Sequence, residues 1–230
     1  MITYVTPTEE AIEYGMRIPL SAVIEDDGIT IHAYEEAREA AQWLDALSPT
    51  HLSDEILSHL DEMLRPIMGK KGFVPEERYV NQIGRIFAAE NVGQIQAQLI
   101  REDTVRFQRR EGLVYHTETV LDEESDGCPI FATVLGNEVR SFANLNGDDG
   151  EVADIGVETG VDYESRGYGA SNVAALSRYL LEGGRQRVLY VALNDNIPSI
   201  RLAEKVGFAQ VGEEYNYVCF EEAEEETDGI

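Results

Sequence analysis

The strongest constraint on the fold is that strand-length apolar stretches alternate with turn signals in the C-terminal half of the chain. Ile130–Leu135 and Val139–Leu145 are strand-length apolar stretches on either side of Gly136-Asn137, which is a hairpin turn signal. A second turn signal, Gly147–Gly150, is followed by a third strand pattern over Val152–Thr159. These spacings predict three consecutive strands.

Helical and strand signals alternate after this point. A glycine-containing loop at 164–169 leads into a helix that runs to Glu182 and ends at Gly183-Gly184. Arg187–Leu193 contains an unbroken apolar run, which is typical of a strand covered on both faces, and a last helix ends at Gly207. The order β-β-β-α-β-α predicts an α/β (α+β) fold, with a mixed central sheet and flanking helices.

The N-terminal third carries helical patterns. A helix is predicted over 34–47, where apolar residues recur at helical spacing until Pro49 ends it. A second helix is predicted after Ser53 as N-cap, with Pro66 as its stop. A third, weaker helix is predicted over about 76–90.

The pattern then changes to alternation. Apolar residues alternate with glutamines up to Leu99, which predicts a half-buried strand, and the alternation resumes at Val105 and Phe107. A further strand is predicted over Leu113–Leu121. The acidic, turn-rich segment Asp122–Gly127 is the best candidate for a linker.

These signals divide the chain into three parts. Residues 1–121 form a helical then β-rich region of unknown role, 122–220 form the α/β domain, and 221–230 form an acidic, solvated tail. An alternative interpretation treats 1–121 as an independent functional domain.

The charge balance restricts the partners. With 44 acidic and 18 basic residues the formal net charge is −26, and a field of that sign repels nucleic acid and anionic membranes. The acids are spread along the whole chain, which favours a hydrated, salt-adapted (halophilic) surface over an acidic groove for a cationic substrate. We expect neither a nucleic-acid nor a membrane partner.

Neither cysteine nor histidine spacing predicts a metal site. Cys128 and Cys219 are both flanked by apolar residues, so each is expected to be a small buried side chain, and the four histidines lack metal-ligand spacing. No leader pattern or membrane-length apolar run is present, so we expect a cytoplasmic protein.

The most informative motif is the loop Glu164–Ala170 between a strand and a helix. Glycine lets a backbone approach a ligand closely, and helix N-terminal amides attract anions, so this loop suits a pyrophosphate. The alternative is a tight turn without a ligand. A dinucleotide fold is not supported, because no acidic residue follows at the expected strand end, and a nucleoside triphosphate loop is excluded, because Gly-Lys-Ser/Thr is missing.

The run from Ala153 to Phe208 resembles the GNAT superfamily of N-acetyltransferases. Its Gln/Arg-x-x-Gly-x-Gly/Ala signature places its glycines on Gly167 and Gly169, and Asn194–Phe208 resembles the family's last motif, with an asparagine before a helix ending in Gly-Phe. Gly156–Thr159 with the Arg166-Gly167-Tyr168 triplet resembles a group with an unrelated N-terminal extension.

The resemblance implies roles for particular residues. Acetyl-CoA would be the co-substrate and no metal is needed. The backbone of Val157, Glu158 and Thr159 would pair with the pantetheine arm, while Asn196 and Ser199 would contact the cofactor near its thiol. The pyrophosphate would lie against the loop, whose residues are Glu164, Ser165, Arg166, Gly167, Tyr168, Gly169 and Ala170.

Two positions depart from the family pattern. Glu164 stands where the signature has Gln or Arg, so a carboxylate lies near phosphate, and Arg166 is the candidate for the missing positive contact. Ala203 stands where many members carry a tyrosine that acts as the general acid, so the general acid of this chain is unidentified. Our catalytic candidates are Glu158 as base and Tyr215 on the final strand, with structural roles as the alternatives.

The sequence therefore predicts an acetyl-CoA-dependent N-acetyltransferase that acts on a small-molecule or protein amine, with a homodimer as the candidate assembly. The alternative is a non-catalytic CoA-binding module with a regulatory role.

Overall fold

The computed structural model describes residues 1–76, 83–117 and 128–222, and the predicted linker and most of the acidic tail lie outside them. The chain divides into two compact units. The first contains Met1–Gly84 and Gly212–Ile230, and the second contains Arg85–Val211. The predicted boundary near residue 121 concerns independent folding and stays a prediction.

The first unit has a mixed sheet with strand order β1-β3-β2-β12, and β4 also pairs with β12. Strands β1 and β3 are parallel, while β2 is antiparallel to both β3 and β12. Its elements are β1 (Ile2–Tyr4), α1 (Glu9–Glu13), β2 (Met16–Glu25), β3 (Gly28–Ala33), α2 (Arg38–Leu47), α3 (Asp54–Gly69), β4 (Phe73–Pro75) and β12 (Ala209–Glu221, from Gly212 onward).

The predicted helices of the first unit are present, although strands also precede them. A 3-10 turn at Glu35–Ala37 leads into α2, and Ser53 caps α3 by accepting a hydrogen bond from the Ile56 amide. Pro66 does not end α3, contrary to prediction. Proline removes one donor but fits helical φ, and the extra turn buries Met68.

The second unit has the strand order β5-β11-β10-β9-β8-β6, and β7 pairs with β9. Strands β8, β9 and β10 are antiparallel neighbours, whereas β10 and β11 are parallel. Its elements are β5 (Ile83–Ala89, from Arg85 onward), β6 (Thr104–Arg106), β7 (Val114–Tyr115), β8 (Phe131–Leu135), β9 (Glu138–Asp148), β10 (Val152–Thr159), α4 (Tyr168–Glu182), β11 (Arg187–Leu193) and α5 (Ile197–Val206).

The predicted order of strands and helices from β8 to α5 is confirmed, and the fold is a mixed α+β fold with flanking helices. The strands β10 and β11 have the predicted bounds. One turn is displaced, because β9 continues through Gly147 to Asp148 before the chain reverses. Helix α4 buries Val173, Leu176 and Leu180 in the core of the second unit.

Three predictions before β8 are wrong in whole or in part. The described end of the predicted helix over 76–90 is strand β5, which is almost entirely buried and thus suited to a strand covered on both faces. The predicted strand ending at Leu99 is a pair of 3-10 turns, because Gln94 caps the first turn through the backbone of Asn91. Of the strand predicted over Leu113–Leu121, only Val114–Tyr115 is β-structure within the described residues.

Other sequence expectations have mixed outcomes. Cys219 is buried as predicted, but Cys128 is exposed, because it and the following Pro129 and Ile130 lie outside any helix or strand. Among the described residues, no helix is long and apolar enough to cross a membrane.

Gly207 fixes the end of α5, and its replacement by alanine should destabilise the protein. Its φ is +113°, and a Cβ there would overlap the carbonyl oxygen of Gln94. Strain and clash together predict a loss of about 3 kcal/mol or more, equivalent to roughly 6–12 °C in a thermal melt. Gly136→Ala is the control, because φ there is +63° with no atom within 4 Å. Equal melting points for the two variants would contradict this account.

Candidate functional site

The parallel strands β10 and β11 separate partway along their length. They pair only at Val152, Ala153 and Asp154, although β10 stays paired with β9 as far as Thr159. The register with β9 shifts between Asp154 and Ile155, and such a bulge bends a strand. The far half of β10 therefore offers backbone groups along an edge that β11 does not cover.

Helix α4 begins beside this open edge with a sharp backbone turn. Gly167, the residue before α4, has φ +82°, and Ser165 has φ +59°. The first hydrogen bond of the helix joins the Ser171 amide to the Gly167 carbonyl at 3.1 Å. The three preceding amides, of residues 168–170, have no acceptor within the helix, and they carry the positive end of its dipole.

Close packing at Gly169 holds the helix against the strand. A Cβ at this position would lie 3.2 Å from Thr159 Oγ1, 3.4 Å from Val157 Cγ2 and 3.2 Å from Leu202 Cδ1. Glycine therefore lets the first turn of α4 approach both β10 and α5. This approach leaves the helix amides and the strand edge next to each other.

These features enclose a cavity of about 560 Å³ in the second unit. Its walls come from the open half of β10, the loop before α4, one residue of β11 and the first part of α5. The lining residues are Val157, Thr159, Tyr163, Glu164, Ser165, Gly167, Tyr168, Gly169, Ala170, Tyr190, Asn196, Pro198, Ser199, Arg201, Leu202 and Lys205.

All but two of the residues predicted to bind a cofactor line this cavity. The exceptions are Glu158 and Arg166. Glu158 alternates with Val157 and Thr159 along β10, which places its side chain on the other face of the sheet. The guanidinium of Arg166 lies 5.4 Å from the ring centre of Tyr163. Tyr163 belongs to the lining, so Arg166 lies next to the cavity wall, and its contact with the phosphate stays a prediction.

The two predicted catalytic residues have different surroundings. Glu158 is half-buried, and its carbonyl accepts a hydrogen bond from Ser141 Oγ at 2.9 Å. Tyr215 belongs to the first unit, where it packs in the apolar core and is only 1% exposed. Burial raises the pKa of its phenol, with a further contribution from the nearby Asp61 carboxylate. The catalytic role of each stays a prediction.

Sequence reasoning missed Tyr190, a phenol on the cavity wall. Its hydroxyl lies 2.7 Å from Ser199 Oγ, and the residue is 3% exposed. Burial raises the pKa of this phenol, and the hydrogen bond with Ser199 lowers it by less. Tyr190 therefore stays protonated through neutral pH and can donate a proton. The only sequence signal was a single tyrosine within the otherwise aliphatic run Val188–Leu193.

Sequence reasoning also missed Arg201 and Lys205. Both line the cavity from α5, whereas Glu164 contributes a carboxylate from the loop. The four-residue spacing of the two basic residues on a predicted helix was the available signal. A metal has no comparable support, because no group of metal-binding side chains occurs in the part of the chain that the structure describes.

One family profile matches the chain. The profile of the acetyltransferase (GNAT) family covers residues 94–208, half of the chain, and this stretch contains every residue that lines the cavity. No match is found among curated proteins.

Three solved structures that are similar to this chain have low sequence identity and TM-scores below 0.5. A GNAT-family protein from Novosphingobium aromaticivorans is 14% identical with a TM-score of 0.48; the match covers 62% of this chain and 65% of that one. A GCN5-related N-acetyltransferase from Kribbella flavida is 11% identical with a TM-score of 0.48, covering 95% and 94%. One from Sphaerobacter thermophilus is 11% identical with a TM-score of 0.49, covering 87% and 76%.

Proposed function

The chain belongs to the GNAT family of acetyltransferases, and we propose that it transfers an acetyl group from acetyl-coenzyme A to an amine. The observation that carries the proposal is the cavity in which the unpaired edge of β10 lies next to the first amides of α4. These amides have no acceptor within the helix. An extended amide chain such as pantetheine can pair with the edge, and a pyrophosphate can accept from the amides.

The residues present fit such a co-substrate. In the proposed complex, the backbone of Val157 and Thr159 pairs with the pantetheine amides, and the first turn of α4 binds the pyrophosphate. The lack of a side chain at Gly169 keeps the cleft open, since a Cβ there would press on both neighbouring walls. Asn196 and Ser199 lie at the start of α5, with the Asn196 side chain capping the helix at the Ser199 amide.

The proposed reaction forms one C–N bond and breaks one C–S bond. The neutral amine attacks the thioester carbonyl, and a backbone N–H of Val157 or Thr159 stabilises the oxyanion. Collapse of the tetrahedral species releases the thiolate, which takes a proton from Tyr190. The amine nitrogen loses its proton through water to Glu158, whose side chain lies on the opposite face of β10, so that the products are an amide and free coenzyme A.

The acceptor in this proposal is a small-molecule or protein amine, and the reaction takes place in the cytoplasm. The strongly acidic composition suits an enzyme that is active at high salt, because mobile ions screen the repulsion among its carboxylates. Every group assigned a role in this chemistry lies in one chain. Each subunit of a homodimer would therefore have a complete site.

Calorimetry with acetyl-CoA in molar salt tests the binding step, and thiol release with a panel of amines tests the transfer. We expect saturable binding and amine-dependent release of free thiol. Binding without thiol release for any amine would favour the alternative, a regulatory module that only senses coenzyme A. Absence of binding in both molar salt and dilute buffer would refute the proposal.

A further inference from the structure

Two cations lie together on the α5 wall of the cavity. Arg201 and Lys205 are four residues apart on the same helix, and both line the cavity. This spacing places them on one face, about 6 Å apart along the helix axis. They share the cavity with the amides at the start of α4, so positive charge is present on two of its walls.

These cations lack the side-chain partners that most of the described basic residues have. Among the described arginines, only Arg201 has a side chain that makes no hydrogen bond, ion pair or ring contact with a described residue. Lys205 is likewise unpaired within the described ranges. Acidic residues outnumber basic ones 44 to 18, so a carboxylate partner is easily available in this chain. Two unpaired cations in one cavity indicate a binding site for an anion.

A single pyrophosphate does not account for both positive walls. The α4 amides already provide donors for it, and the carboxylate of Glu164 on the same loop opposes further negative charge there. Coenzyme A also carries a phosphate monoester on its ribose, which dephospho-coenzyme A lacks. A monoester is doubly charged near neutral pH and binds strongly to paired Arg and Lys side chains.

We propose that Arg201 and Lys205 bind the ribose phosphate of coenzyme A and thereby select it over dephospho-coenzyme A. This inference rests on the proposed function, because it assumes that the cavity binds the nucleotide. It assigns the discrimination to α5 and leaves the pyrophosphate to α4. Arg166, whose guanidinium lies near the Tyr163 ring, has no part in it.

Calorimetric titration of the full chain with coenzyme A and with dephospho-coenzyme A tests the assignment. We expect the wild type to bind coenzyme A at least ~10-fold more tightly, since a charge-assisted hydrogen bond accounts for about that factor. Arg201→Ala and Lys205→Ala should each lower the affinity for coenzyme A by about 10-fold and leave that for dephospho-coenzyme A within about 2-fold. Lys70→Ala, at an exposed lysine of the first unit that is unpaired among the described residues, should change neither.

The outcomes separate this inference from the proposed function. Equal wild-type affinities for the two ligands, or an equal loss of both in the variants, would overturn the phosphate assignment and leave the transferase proposal standing. Binding of neither ligand by the wild type would overturn the proposed function itself. Circular dichroism and melting of each variant check that it is folded.

Discussion

Replacing Gly167 by valine should lower the affinity for coenzyme A by at least about 100-fold while the protein stays folded. The residue has φ +82°, where a β-branched side chain is strained, and it immediately precedes the amides proposed to bind the pyrophosphate. A shift of the backbone towards negative φ would turn those amides away from the ligand. Calorimetry with coenzyme A measures the loss.

The other end of the same helix provides a matched control. Gly184 has φ +98°, and, as at Gly167, a Cβ there would meet no atom within 4 Å. Gly184→Val therefore introduces similar backbone strain at a distance from the cavity, and we expect an affinity within about 2-fold of the wild type. An equal loss of affinity in both variants would mean that strain in α4, rather than the loop geometry, weakens binding.

The sequence predicted the second half of the fold well because turn-forming residues separate its elements. Gly136-Asn137 and Gly183-Gly184 mark chain reversals whose backbone geometry favours these residues. The apolar run between Val188 and Leu193 has the length of a strand and begins shortly after the second of these reversals. Local chemistry therefore determined the bounds of β11 and, to within a residue or two, those of α4.

The failures occur where the local pattern fits more than one structure. Apolar residues at Ile95, Ala97 and Leu99 alternate as in a strand, but the backbone of this stretch bonds within its own turns and to α5, where the Gln96 amide donates to the Val206 carbonyl. That partner is more than a hundred residues away in the chain. Periodicity within a short window contains no information about it.

The candidate site was predictable to the extent that it consists of backbone. The glycines at the start of α4 and the strand β10 were found from the sequence, because the proposed roles of both depend on the conformation of neighbouring backbone residues. Tyr190 and Arg201 were missed, because their exposure to the cavity depends on where β10 and β11 separate. That separation follows from a bulge at Asp154/Ile155 and from the strand order, neither of which is a local property.

Tyr190 is the side chain for which the structure predicts the largest effect on turnover. Tyr190→Phe should reduce kcat by about 100-fold, the lower end of the range for losing a general acid, and leave the affinity for coenzyme A within about 2-fold. Burial places its pKa above the usual tyrosine value of about 10, so the phenol is protonated, and active as an acid, at every pH below that. The wild-type kcat should therefore decline only above about pH 10, and this decline should be absent in the variant.

Two further variants separate proton donation from packing. Tyr179→Phe removes a phenol that is 41% exposed and not part of the cavity lining, and it should leave kcat unchanged. Ser199→Ala removes the hydrogen bond that lowers the pKa of Tyr190, so the alkaline decline should move to higher pH. If Tyr190→Phe kept a kcat within about 2-fold of the wild type, the proton would have to reach the thiolate from water, and the phenol would serve only to position Ser199.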